Sequence, residues 1–218
     1  MKSNGNRALQ LQEIADRAAR LIADHGLDAA HARQKAASQV LGEAARAALL
    51  PDPDQIETAL RAYLRASQGE AHRQRLWRLR QAALHWMQVL EPFRPCLVGP
   101  VLNACATQDC AVHLHLYADS AKDVEMALLD RGLDIRVGPP AGTGGRAQEC
   151  IGLVVPGAGP GAEPTALLLT VFDAPARRNG GGVHTADPLL LPLERSSRAD
   201  VDQLRELLAQ TGPVTAHG

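Results

Sequence analysis

Aromatic residues are scarce in this chain: two Phe, two Trp and two Tyr, 3% of 218 residues. Its core must therefore be aliphatic, built from Leu, Val, Ala and Ile, and an apolar content of 45% is enough to build one. Cysteine is sparse as well. Cys96, Cys105, Cys110 and Cys150 include no Cys-x-x-Cys pair, which sets aside the common compact zinc and redox motifs. No apolar run approaches the roughly 20 residues of a membrane span. The opening MKSNGNRALQLQE has no continuous apolar region of the kind that directs secretion. The expectation is a cytoplasmic protein with reduced thiols and no membrane partner. Neither sign of charge dominates, since the formal net charge is −1. That balance does not by itself mark a nucleic-acid binder. Residues 1–94 nevertheless carry 14 Lys and Arg against 10 Asp and Glu, and the remainder carries 9 against 14. Two segments with different surfaces are implied.

What is present first is helical periodicity. Leu9, Ile14, Ala18, Leu21 and Ile22 recur at helical spacing, and Gly26 suits a C-terminal stop. A second helix is predicted from about Asp28 to Leu41, closed by Gly42. The stretch Leu49-Leu50-Pro-Asp-Pro-Asp interrupts the chain. Asp54 with Glu57 then resembles a capping arrangement for a helix to about Arg65. A long helix follows from near Gly69 to Leu90, with Leu76, Leu79, Ala83, Trp86, Met87 and Leu90 on one stripe. In that setting Trp77 and Trp86 read as packing residues.

After Pro92 the period changes. Cys96–Val98 reads as a short buried strand. Val112–Tyr117 alternates with period two, with His113, His115 and Tyr117 on one face. Ser120 opens a helix that Gly132 ends. Residues 135–137, 150–155 and 166–172 are further strand candidates. A final helix spans about Ser197 to Leu208, with Ser197 and Asp200 as its expected cap. Helices first and a mixed strand region second predict an α+β protein, with an N-terminal helical region over 1–68 and an α+β domain over 69–218. The glycine-rich segments 141–145 and 156–161 lack the Gly-Lys-Ser/Thr of a phosphate loop and read as hairpin connections. The segment 177–182 reads as a surface loop whose two arginines, Arg177 and Arg178, suit an anion. No Gly-x-Ser-x-Gly turn marks a serine nucleophile.

The stretch LVGPVLNACATQDCAVHLHLY, 97–117, carries the most specific pattern: an apolar residue and glycine, about ten residues, then an alternating strand. In this it resembles the nucleotidyltransferase superfamily, the polymerase-beta-like fold, over roughly residues 72–175. The resemblance implies a mixed sheet with flanking helices. It also implies a Gly-Ser turn near a triphosphate, and two carboxylates one residue apart on a strand to hold Mg²⁺. The metal activates the attacking hydroxyl and stabilises the leaving pyrophosphate. Val98-Gly99 takes the apolar-glycine place, Pro100 the Gly/Ser place, and Ala111 and His113 the places of the paired carboxylates. Proline has no amide hydrogen, alanine no ligand atom, and imidazole is a poor Mg²⁺ donor. Strand 167–172 contains no acid. Asp109 and Asp173 flank the motif without replacing the pair. The implied cleft therefore contains Gly99, Asp109, His113, His115 and Asp173, with Mg²⁺ as cofactor only if activity is retained.

Two other patterns bear on function. Cys105, Cys110, His113 and His115 are all zinc-ligand types, but their spacing matches no compact zinc module. Arg73, Arg75, Arg78 and Arg80, with Arg61 and Arg65, suggest a basic helix face that is either solvated or set against nucleic-acid phosphates. The first expectation is a catalytically degenerate nucleotidyltransferase-like protein that binds a nucleotide or nucleic acid. The second is a helical interaction or regulatory protein, using the sheet as a scaffold and pairing as a homodimer through apolar stripes on its N-terminal helices.

Overall fold

The structure is a computed structural model that describes residues 2–42, 50–139, 146–157, 163–179 and 182–212. It is an α+β protein with two compact units, one of residues 1–73 with 107–109 and one of residues 74–106 with 110–218. Among the described residues no helix is long and apolar enough to cross a membrane.

The first unit contains α1 (Lys2–His25), α2 (Ala29–Leu41) and the first part of α3 (Pro53–Val89). Ile14, Ala15, Ala18 and Leu21 line the buried stripe of α1. Gly26 ends that helix at φ 64°, its amide donating to Ile22 O at 3.1 Å. This left-handed turn favours glycine. Asp28 caps α2 by accepting from the Ala30 and His31 amides. The small residues Ala32, Ala36 and Ala37 are buried where α2 packs on α1. Tyr63 in α3 donates its hydroxyl to Asp24 at 2.8 Å.

The start of α3 corrects the expected Asp54–Glu57 cap. Asp52 accepts from the Gln55 amide at 2.8 Å, and the Gln55 side chain accepts from the Asp52 amide at 2.9 Å. With this reciprocal cap on Asp52, Pro53 occupies the first helical position, where its missing N–H is not needed. Asp54 instead faces Arg61 at 3.9 Å. Two helical stretches meet at Gly69, as expected, where the backbone leaves helical geometry at φ 44° and ψ −111° and kinks α3.

The second unit is built on a five-stranded sheet of order β1-β2-β5-β4-β3. Its strands are β1 (Cys96–Val98), β2 (Val112–Ala118), β3 (Ile135–Gly138), β4 (Ala147–Val155) and β5 (Thr165–Asp173). β1 runs antiparallel to β2, β2 parallel to β5, and β5–β4–β3 form an antiparallel meander. The glycine-rich segments 141–145 and 156–161 thus lie between antiparallel neighbours, and residues 140–145 and 158–162 fall outside the described residues. Helix α4 (Ala121–Leu129) makes the crossover from β2, capped by Ser120.

Period-two alternation gives each strand one apolar face. Leu97, Leu114, Leu116, Ile151, Leu153, Leu167, Leu169 and Val171 form a single cluster with Leu76, Met87 and Leu90 of α3, Val124 and Leu128 of α4, and Leu204 and Leu207 of α5 (Val201–Thr211). The helices therefore cover one face of the sheet with an aliphatic core, as the scarcity of aromatics requires. The cap of α5 is Asp200 with Gln203, three residues later than the expected start at Ser197. Ser197 is not helical because its segment runs along the sheet edge. Ala199 and Leu97 exchange both backbone hydrogen bonds, at 2.8 and 2.9 Å, and the Ser197 hydroxyl accepts from the Gly182 amide.

Candidate functional site

The face of the sheet away from the helices carries the residues singled out by the sequence. Along β2 it presents His113, His115 and Tyr117. Beside them in register lie Val98 and Cys96 of β1, and Leu168, Thr170 and Phe172 of β5. The rings form a row: His115 lies 4.7 Å from Phe172 between centroids, and Tyr117 stacks on Phe172 at 5.9 Å and 28°. Both histidines are half-buried. Burial lowers the pKa of His113. Burial, with His113 and Arg198 nearby, takes His115 from 6.5 down to about 4.

Gly99 closes β1 at φ 70°, and a Cβ there would stand 3.4 Å from His113 Nδ1. The glycine turn thus lies directly over the residue in the carboxylate place. The turn offers little to a phosphate, however. The amides of Leu102 and Asn103 both donate to Gly99 O, and the Cys105 amide donates to Pro100 O at 2.8 Å. Buried Arg80 fixes the same turn by donating to Val101 O at 3.0 Å, Leu102 O at 3.1 Å and Glu194 at 2.8 Å. Asn103 donates to Glu194 O and Ser196 O. Burial lowers the Arg80 pKa and Glu194 opposes that shift.

Asp173 does not join this face. His113 pairs with Leu168, five residues before Asp173 on β5, which is about 16 Å along a strand. Alternation also turns Asp173 to the side opposite Phe172. There it accepts from Gln148 Nε2 at 2.5 Å, while Gln148 accepts from the Ala121 amide that begins α4. Asp109 belongs to the segment 107–109 of the helical unit. Of the expected cleft residues in the sheet unit, the structure brings together Gly99, His113 and His115 and turns Asp173 away.

The zinc alternative is corrected likewise. Among the described residues no three His, Cys, Asp or Glu side chains converge as a metal site. Cys105 is buried in the turn after β1, and the Cys110 thiol donates to Ala111 O at 3.3 Å. The basic face is corrected too, because Arg61 and Arg80 are each only 1% exposed. Arg61 donates to Thr58 Oγ1 and faces Glu57 at 3.5 Å.

Sequence reasoning did not join three arginines at the opposite end of the sheet. Arg94 precedes β1, Arg177 lies in the short 3-10 turn after β5, and Arg198 lies on the edge segment before α5. Arg177 and Arg198 line two adjoining pockets of about 410 and 350 Å³; Cys96 and Asp200 line the first, Arg94 and Asp119 the second. Only the arginine pair in 177–182 hinted at an anion, since Arg94 and Arg198 stand far away in sequence. In comparisons with known proteins, no family model, no curated protein and no solved structure matches this chain.

Proposed function

We propose that this chain is a nucleotidyltransferase-like binding module of the cytoplasm, one that holds a nucleotide without metal chemistry. The observation that carries the reading is the row of His113, His115 and Phe172 beside the Gly99 turn, backed by the buried ring of Tyr117. Neutral imidazole and aromatic faces stack nucleobases at roughly 1–3 kcal/mol each, whatever the base. The strand arrangement supports the likeness, with β1 antiparallel to the motif strand β2 and β5 parallel beside it. Non-catalytic binding is favoured because Leu168 and Thr170 of β5 stand beside the two histidines and supply no carboxylate. Nucleotidyl transfer through Mg²⁺ needs hard oxygen ligands.

Thermal unfolding of the purified protein with each nucleoside triphosphate, in Mg²⁺ and in EDTA, tests this. Stabilisation is expected in both conditions, reduced in Phe172→Leu, with no pyrophosphate released. Absence of stabilisation by every nucleotide overturns the reading.

The second reading, an interaction role for the N-terminal helices, gains no support from an apolar stripe. Among the described residues of the helical unit, Leu9 is the one large hydrophobic side chain that is exposed.

A further inference from the structure

The arginine pockets at the far end of the sheet do not depend on the nucleotidyltransferase likeness. Their polar surface comes from Arg94, Arg177 and Arg198, with Asp119 and Asp200 also at the walls. Three guanidiniums against two carboxylates leave an excess of positive charge. None of the three arginines has a carboxylate within ion-pair distance among the described residues, whereas Arg61, Arg73, Arg78, Arg80 and Arg205 all do. Arg198 is held in place, donating Nη1 to the Tyr117 hydroxyl at 3.3 Å and Nη2 to Arg177 O at 3.0 Å. That second bond fixes the backbone bearing Arg177 against the arginine beside it. Two half-buried guanidiniums lacking carboxylate partners, one of them pre-positioned, form an arrangement whose charge is still to be matched.

The remaining titratable groups do not supply the missing anion. Burial raises the Cys96 thiol pKa, so Cys96 stays uncharged at neutral pH although Arg177 and Arg198 oppose the shift. His115, next on the sheet face, is neutral for the reasons given above. A carboxylate ligand would satisfy one guanidinium fork. Three arginines from separate segments lining one pocket suit a group with three terminal oxygens and about two negative charges.

We infer that the Arg94–Arg177–Arg198 pocket is a binding site for a phosphate monoester dianion, held without a metal. The bound group receives hydrogen bonds from the Arg177 and Arg198 guanidiniums, with Arg94 closing over it from the solvent side. The rest of the ligand extends into the adjoining pocket past Cys96 and Val183.

Isothermal titration of the full chain at fixed ionic strength tests this, with inorganic phosphate, a sugar monophosphate, acetate and an unphosphorylated nucleoside as separate titrants. Both phosphate compounds are expected to bind and acetate to bind at least tenfold more weakly. Arg177→Gln should weaken phosphate by roughly tenfold or more, the scale of losing one charged hydrogen bond. Arg94→Gln, at an exposed position away from the core, guards against misfolding and should also weaken binding. Phosphate binding no tighter than acetate, or unchanged in both variants, overturns the inference. The nucleoside arm reports on the ring row alone, so its failure leaves the phosphate site standing and the reverse also holds.

Discussion

At pH 7 the imidazole of His115 is neutral because burial, His113 and the Arg198 guanidinium all disfavour its protonated form. An unfolded chain takes up that proton near 6.5, and the folded chain takes it up only at about 4. Between those values the unfolded state binds more protons, so stability is complete above the upper value and declines as pH falls toward the lower one. His113 is displaced in the same direction and adds to the decline. Urea midpoints measured from pH 7.5 to 4 should fall less steeply in His115→Asn than in the natural protein. The difference should reach roughly 2–3 kcal/mol at the acid end. Parallel slopes would place the acid sensitivity elsewhere.

Secondary-structure elements in this protein are announced by their ends. Gly26, Gly42, Ser120 and Gly132 stand where the helices change direction, which is why the boundaries of α1, α2 and α4 could be read within a few residues. Strand β2 was equally legible, since its alternation is strict and its core face is fully buried. The errors came where local rules competed. Asp52 and Asp54 both follow a loop and precede a helix, and only the position of Pro53 decides between them. Ser197 has a capping residue type, but pairing with β1 claims its segment. Asp173 looked like a site residue because nothing in the sequence gives the parallel register of β5 on β2, and that register decides which face it serves. Gln148 had no local signal at all, although it links three elements through Ala118, Ala121 and Asp173. Replacing it with Ala should cost about 1–2 kcal/mol. Amide exchange should quicken most in the first turn of α4, and exchange unchanged there would assign that turn's order to Ser120 alone.

Within the second unit, the ion pair of Arg80 and Glu194 ties together residues 114 positions apart. Both side chains are nearly inaccessible, and Glu194 also accepts from the Leu191 amide at 3.0 Å. Its attraction is offset by the cost of taking two charges from water, so the pair as a whole adds little net stability. Removing one member does much more harm. Arg80→Met should destabilise by about 3–5 kcal/mol in chemical denaturation, and adding Glu194→Leu should recover a large part of that loss. A double variant as unstable as the single one would show that the carbonyls of Val101 and Leu102 need Arg80 more than Glu194 does.

The segment that runs along β1 has a consequence for how the protein is made. Glu194, Ser196, Arg198 and Ala199 hold the turn after β1, the arginine pocket and the sheet edge, yet they leave the ribosome after every strand. Until then β1 has a bare edge and Arg80 lacks its counter-charge. The sheet unit therefore matures only when its last pieces have been synthesised, and a chain stalled near residue 190 exposes the outer edge of β1, which invites association with other nascent chains.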